Sequence, residues 1–436
     1  MLKQRDREKI TMSTLSDTPK QSFRLSQLIY DTRYRSITIQ VIALILIVVG
    51  LGWLVNNTIS NLEALGKSFS FSFLSQPAGY DINQMLIEYN NQMTHGRAAL
   101  VGILNTLLVA FLGCVAATFI GLIVGVLRLS KNWVVSRLMA VYVEGLRNVP
   151  LLLWIILIFA FVSEGLPQPR DFRGDTPEAS MILGDSVAIT NRGTYIPRIG
   201  FTNSLSGNEV VAAQEGATAV SSGRIDWLVI FSVLAASLVA ISFVNRSATA
   251  KQLATGFRPS TIWKNLAIFF VPLAIVLFLL GATIVQPFLK GFNFTEGVHI
   301  RNSLMALWLA LSLYTGAFIA EIVRSGILAV SKGQSEAASA LGLRPRRTMS
   351  LVILPQAMRV IIPPLISQYL NLTKNSSLAL AVGYMDVRAT LGGISIAQTG
   401  RELEGIMLLG AFYLTLSLLI SGGMNYYNNS TKLKER

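Results

Sequence analysis

Residues 334–355 read QSEAASALGLRPRRTMSLVILP, a polar and basic stretch between two long apolar segments. Because charged side chains are costly in hydrocarbon, this stretch must lie outside the bilayer that the flanking segments cross. The Glu-Ala-Ala at positions 336–338 favours a short helix. Gly342 can end that helix, since a glycine just past the last turn adopts the left-handed conformation at little cost. The stretch therefore predicts a helical loop between two membrane spans.

The side chains of this loop suit contact with another protein. Ala337 and Ala338 would let a second backbone approach closely. The charged contacts that could fix register and orientation come from Glu336, Arg344, Arg346 and Arg347. The alternative interpretation is an ordinary cytoplasmic helix between two spans.

The composition indicates an integral membrane protein. Of the 436 residues, 52% are hydrophobic and only 14% are charged, which leaves too few polar residues for a soluble globular surface. The net charge of +14 does not indicate nucleic-acid binding, because the basic residues fall at the ends of apolar runs, as the positive-inside rule predicts. Cys114 is the only cysteine, and His95 and His299 are not spaced as a ligand pair, so neither a disulfide nor a metal site is expected.

Apolar runs of about the length that a bilayer core requires predict eight membrane spans. The predicted spans are 37–55, 98–127, 138–162, 226–244, 266–287, 304–330, 361–384 and 406–424. An even number puts both termini on one side, and the basic residues predict that this side is cytoplasmic. Pro150, inside the third predicted span, should kink or restart the helix. Residues 163–225 are too polar to span, and a strand pair is predicted near 194–201.

The loop resembles the EAA loop of ABC importer permeases. The pattern is Glu-Ala-Ala, three positions, Gly342, nine positions and then Val-Ile-Leu-Pro at 352–355. The usual ending in that family is Ile-x-Leu-Pro, from which Val352 departs by one methylene. In that family the loop docks in a groove of a separate ATPase. The resemblance therefore implies that Glu336, Ala337, Ala338, Gly342, Arg344, Arg346 and Arg347 couple this chain to such a partner.

Five predicted spans carry further resemblance, to the polar amino acid branch of these permeases. The runs are NTLLVA, VYVEGLRNVPLLL, GAFIAEIVRSGILAVSKGQSEAASALGL, LPQAMRVIIPPLISQYLNLTKNSSLA and MNYYN. The arrangement of the predicted spans is similar to that of the permeases of general L-amino-acid importers. That likeness implies a second related permease, two copies of a cytoplasmic ABC ATPase, a periplasmic amino-acid-binding protein and a bacterial inner membrane location.

The fold class implied is an all-α membrane protein with a five-helix permease core, one added N-terminal span, and an inserted external segment plus two spans. The predicted divisions are a cytoplasmic tail at 1–36, an extra span and outer loop at 37–97, two core spans at 98–162, an outer insertion at 163–225, two inserted spans at 226–303, three core spans at 304–424 with the coupling loop at 331–355, and a second tail at 425–436. No nucleotide-binding GxxxxGK followed by Ser or Thr occurs in the chain. We therefore expect no cofactor on this chain, with ATP and Mg²⁺ bound by the partner.

Lys374 lies within the seventh predicted span, and an ammonium there should line a cavity or meet a partner. Polar neighbours surround it: Gln368, Asn371, Asn375, Ser376 and Ser377. Gln368, Asn371 and Asn375 recur at three and four residues, so they share one helical face. One hypothesis is that this cluster handles the α-carboxylate or polar groups of an amino acid. The other is interhelical hydrogen bonding, with Lys374 paired to an acid.

A second polar group, Glu144, Arg147 and Asn148, precedes Pro150, where an interrupted helix frees backbone groups to meet a ligand. Glu321 and Arg324, by contrast, suggest a structural pair near a helix end. Two functions fit the sequence: a permease subunit driven by a separate ATPase, or a secondary transporter coupled to Na⁺ or H⁺. The loop at 331–355 discriminates between them, because a secondary transporter does not need it.

Overall fold

The computed structural model of the protein describes residues 32–64, 66, 69–174, 176–207, 221 and 223–431, in two units, 1–71 and 72–436. The first unit contains one apolar helix, α1, Thr32–Ala64. This helix begins within the predicted cytoplasmic tail and extends nine residues beyond the predicted span end at 55. The rest of that tail and the last residues of the second tail lie outside the described residues.

The second unit is mainly helical. Its helices are α2 His95–Leu127, α3 Trp133–Asn148, α4 Leu151–Glu164, α5 Arg224–Thr255, α6 Ile262–Leu279, α7 Asn302–Leu328, α8 Lys332–Ala340, α9 Pro345–Thr348, α10 Leu354–Asn375, α11 Val387–Ala389, α12 Ile396–Thr399 and α13 Glu402–Thr431. Within the described ranges, seven helices are long and apolar enough to cross a membrane, and the bent pair α3–α4 brings the number to eight. The all-α membrane class predicted from sequence is confirmed.

The third predicted span is not one helix. α3 and α4 meet at an angle of 106° across Val149 and Pro150. The break follows from the proline, which has no N–H to donate and disfavours helical backbone in the residue before it. Val149 is accordingly extended, with φ −106° and ψ 135°. Pro150 thus restarts the helix, as expected, and the change of direction is larger than that of a kinked helix.

The core is built around α2 and α7, which run side by side in the same direction. Gly121 and Gly125 of α2 face the backbone of α7, where a Cβ at Gly125 would lie 2.7 Å from the carbonyl oxygen of Ala320. Small residues that permit close backbone approach are typical of helix packing in lipid. Helices α4 and α10 add Ile155 and Ile361 to the same buried cluster.

Replacing Gly125 with leucine should destabilise the fold by about 1–3 kcal/mol, because the added side chain overlaps Ala320 and Val323. The measurement is the apparent Tm of the detergent-purified protein. Gly422→Leu in α13 is the matched control, since a Cβ there meets nothing within 4 Å. Equal midpoints for the two variants would contradict this account of the α2–α7 contact.

Short strands form the outer parts of the second unit. They are β1 Ala188–Thr190, β2 Gly193–Ile196, β3 Arg198–Phe201, β4 Ala282–Val285, β5 Phe288–Lys290, β6 Asn293–Thr295 and β7 Val298–Ile300. The sheets are β1-β2-β7, β3-β4 and β5-β6, and every pairing is antiparallel. The predicted strands near 194–201 exist, but their predicted pairing with each other is wrong. Each instead pairs with a strand from the segment after α6, so the two outer segments form one structure.

Three predicted spans have different ends in the structure. α6 stops at Leu279, and residues 282–285 of the fifth predicted span are β4, because Gly281 turns the chain with φ +63° and Thr-Ile-Val favours a strand. α5 continues through the basic residues to Thr255. α10 starts at Leu354 and ends at Asn375, followed by a 3-10 helix at Ser376–Val382.

Candidate functional site

The loop after α7 has the geometry that its sequence predicts. α8 carries the Glu-Ala-Ala residues, and Gly342 follows it with φ +72°. The backbone N–H groups of Gly342 and Leu343 donate to the carbonyls of Ser339 and Ala338, at 2.9 and 3.1 Å. These bonds satisfy the free carbonyls at the end of α8, as left-handed helix caps do. The chain can then turn back toward α10.

One side of α8 is left open. Ala338 is buried against its own chain, whereas Glu336, Ala337 and Gly342 are exposed. The three arginines predicted to contact a partner are also exposed: Arg344, Arg346 and Arg347. A wider π turn, Met349–Ile353, joins α9 to α10 just before Pro355, which has no N–H to donate to an ordinary helical bond. The loop is therefore continuous helix from Pro345 into the membrane.

A cavity of about 330 Å³ lies between the end of α10, α11 and α13. Its lining residues are Lys374, Ser377, Arg388, Ile406, Leu409, Gly410 and Tyr413. Two of these side chains are cationic, and none of the seven is acidic. Lys374 is exposed, and it forms no ion pair with any residue that the structure describes. The predicted alternative of an acidic partner for Lys374 is therefore not observed among the described residues.

The position of Lys374 differs from the prediction. The sequence places it near the middle of a span, but the structure places it in the last turn of α10. The reason is that α10 both begins and ends earlier than the predicted span, with Pro355 in its first turn and a 3-10 helix from Ser376 onward. Of its predicted neighbours, only Ser377 lines the cavity. Ser376 is buried, and its hydroxyl donates to the carbonyl of Thr373 at 2.7 Å.

The remaining polar residues of α10 lie on one face, as their spacing predicts. Asn371 is exposed, and Gln368 and Asn375 are partly exposed. The adjacent Tyr369 packs inward, where its hydroxyl lies 2.7 Å from that of Thr118 in α2. α10 therefore buries one side against the core and leaves a polar side open.

The second predicted group also lies on an open surface. Glu144, Arg147 and Asn148 end α3 and are exposed. The guanidinium of Arg147 lies 5.0 Å from the ring centroid of Phe318 in α7, a cation–π contact that fixes the end of α3. Apart from the buried Ser376, both predicted polar groups thus occupy faces that the described part of the chain leaves uncovered.

Arg388 is the cavity residue that sequence reasoning missed. It belongs to α11, which Asp386 caps by accepting the N–H of Ala389 at 2.8 Å. Asp386 itself is fully buried, so α11 is held firmly at the cavity. A sequence signal for it exists: Asp386 lies two positions before Arg388, in the short segment between two predicted spans. An aspartate in such a segment favours a helix start, and the following arginine then lies in the first turn of that helix.

Glu321 forms ion pairs with two arginines, whereas the sequence predicts only its pair with Arg324. Arg324 donates to it at 3.1 Å, and Arg128 at the end of α2 forms an ion pair with its other oxygen. Arg128 is the more buried of the two arginines. The carboxylate therefore ties the ends of α2 and α7 together at the membrane face that carries the coupling loop.

Comparisons with known proteins agree with this architecture. Residues 260–432 match the family described as binding-protein-dependent transport system inner membrane component. The chain is 56% identical to the glutamate/glutamine/aspartate/asparagine transport system permease protein BztB of Rhodobacter capsulatus, over 98% of this chain and 100% of that protein.

Two further relatives also match along most of their length. The general L-amino acid transport system permease protein AapQ of Rhizobium johnstonii is 41% identical over 95% of this chain and 96% of its own. The putative amino-acid ABC transporter permease protein YhdX of Escherichia coli is 40% identical over 91% and 94%. These matches leave the ion-coupled alternative without support. The chain belongs to the family of amino-acid ABC transporter permeases, in which it is a membrane subunit and not an enzyme, because separate ATPase subunits hydrolyse the ATP.

Proposed function

We propose that this permease carries acidic amino acids and their amides across a bacterial inner membrane, with both termini in the cytoplasm. The observation that carries the proposal is the cavity whose described lining includes Lys374 and Arg388 and no carboxylate, while the neighbouring Asp386 is buried behind it as the cap of α11. Two cations suit the carboxylates of such substrates, and the Ser377 hydroxyl can hydrogen-bond an amide. The relative named for glutamate, glutamine, aspartate and asparagine supports the same class.

The proposed assembly contains this chain, a related permease, two ATPase copies and a periplasmic amino-acid-binding protein. The open faces of α3 and α10 support a second permease, because charged and polar groups at membrane depth need a polar partner or cavity. The substrate pathway then runs between the two permeases. It includes Lys374, Ser377, Gln368, Asn371 and Asn375, with Glu144, Arg147 and Asn148. Ser376 remains a support of the helix end.

In the proposed mechanism, movement of the ATPase subunits changes the conformation of the permease. ATPase closure pushes on α8, which joins α7 on one side and the continuous helix leading into α10 on the other. A displacement of α8 therefore reaches the cavity through α10, at whose far end Lys374 lies. Rocking of one helical bundle against another then alternates access to a site between them.

Uptake into proteoliposomes tests the function. The vesicles contain the complete transporter, with ATP inside, binding protein and labelled glutamate outside, and ionophores that collapse all ion gradients. We expect accumulation of glutamate, competed by unlabelled aspartate, glutamine and asparagine but not by lysine. Uptake that needs a Na⁺ or H⁺ gradient would refute ATP drive, and equal competition by lysine would refute the substrate class.

A further inference from the structure

The hairpin of α5 and α6 has a one-sided charge distribution. Between Asp226 and Glu296 the chain contains no acidic residue. Four of the basic residues in this interval fall within the turn region 246–264: Arg246, Lys251, Arg258 and Lys264. All four side chains are exposed, and none forms an ion pair with a residue that the structure describes. We call these four residues the hairpin patch.

The far end of the hairpin is firmly fixed. The buried carboxylate of Asp226, at the start of α5, accepts the Ser204 hydroxyl at 2.6 Å and the Gly223 N–H at 2.9 Å. β3 and β4, which precede α5 and follow α6, pair with each other. A core of Phe201, Ile230 and Leu280 packs beside them. The hairpin patch therefore lies at the opposite end, away from the strands.

Length places the patch beyond the hydrocarbon. α5 has 32 residues, so it is about 48 Å long, whereas a bilayer core is about 30 Å thick. α7 also starts at the strands and ends at the coupling loop. The patch and the coupling loop consequently emerge on the same face of the membrane. That face holds the arginines of the loop and is the cytoplasmic one by the positive-inside rule.

The turn is held in a defined geometry. The side-chain oxygen of Asn245 accepts the Thr261 hydroxyl at 3.2 Å and the Asn265 amide at 3.0 Å. Arg246 and Lys264 are the chain neighbours of two of these residues. The bonds thus hold Arg246 and Lys264 at the same level of the hairpin.

Exposed aromatic residues flank the cations. Trp263 is 81% exposed beside Lys264, and Phe257 is 74% exposed beside Arg258. Trp and other aromatic residues next to Lys or Arg are characteristic of the headgroup layer, where rings enter the interface and cations meet phosphates. A water-facing turn would not gain from exposing both rings.

We propose that the hairpin patch binds anionic phospholipid headgroups of the cytoplasmic leaflet, with Trp263 and Phe257 inserted beside them. The proposal goes beyond the transport function, because it assigns a lipid site to helices outside the five-helix core. Lipid anchoring at this end and the β3–β4 contact at the other fix the hairpin at both ends. The core helices can then rock against a stationary support.

Native mass spectrometry of the intact transporter, titrated with phosphatidylglycerol or phosphatidylcholine, tests the proposal. We expect more phosphatidylglycerol than phosphatidylcholine on the wild-type complex. The double variant Lys251→Gln, Lys264→Gln should bind phosphatidylglycerol about 25-fold more weakly, since each basic residue near an anionic surface contributes about fivefold. Binding should fall with added salt but should not be competed by inorganic phosphate.

The control variant Arg170→Gln, Arg192→Gln removes the same charge from exposed positions at the strand end of the second unit, away from the hairpin patch. We expect its phosphatidylglycerol binding to stay within about twofold of wild type. Equal loss in both double variants would overturn the proposal, because it would mean a general charge effect. Loss of the ATPase from the hairpin variant, with lipid binding unchanged, would overturn it in favour of a protein contact.

Discussion

Arginine in place of Ala337 is expected to reduce ATP-driven uptake at least about 100-fold. Ala337 is exposed on α8 next to Glu336, on the side that the chain itself does not cover. If an ATPase groove closes over this side, a long cation there displaces the partner backbone and is left without a counter-charge. An uncompensated buried charge of this kind costs about 3–5 kcal/mol. The measurements are uptake in proteoliposomes and the amount of ATPase that co-purifies with the permease.

Ala250→Arg is the matched control for this variant. Ala250 is an exposed alanine of α5 toward its C-terminal end, so the same substitution is made outside the loop. We expect normal uptake and normal co-purification from it. If Ala337→Arg also retains both, the coupling function of the loop is refuted. If it loses uptake but keeps the ATPase, the loop transmits force without contributing to affinity.

The conformation of the loop at 331–355 was predictable from sequence because every step is local. A short helix, a glycine with positive φ and a basic turn depend on neighbouring residues alone, and Gly342 adopts the expected conformation. The number of spans was predictable for a similar reason, since hydropathy records what the bilayer requires. The sequence predicts a helix break at Pro150, but the angle of 106° is a property of tertiary packing that no local pattern reports.

The outer strands and the cavity were not predictable to the same extent. β3 and β4 are separated by two membrane helices, and no local pattern reports such a pairing. The hydropathy of Ile284 and Val285 extends the fifth predicted span into β4, because these side chains are equally apolar in a strand and in a helix. Arg388 was missed since its approach to Lys374 depends on how α11 folds back onto α10 and α13.

Methionine in place of Lys374 is expected to reduce glutamate uptake at least about 30-fold. Methionine is similar in length and lacks the charge, so it preserves the packing of the end of α10. The cavity then retains Arg388 as its only cation. Truncating one partner of a desolvated charge pair costs about 2–5 kcal/mol, which sets the expected loss for a bound carboxylate. Uptake is measured in proteoliposomes with equal amounts of assembled complex.

Two further variants separate a pathway role from a structural one. Lys374→Arg keeps the positive charge and should restore part of the uptake. Ser376→Ala, two residues away, removes a buried hydroxyl that donates to the Thr373 carbonyl within the helix, and should leave uptake within about twofold. If Lys374→Met prevents assembly with the sister permease or the ATPase, interhelical bonding is the role of the lysine. If it assembles and transports normally, substrate does not meet this ammonium, and the proposed pathway must lie along the open face of α3 instead.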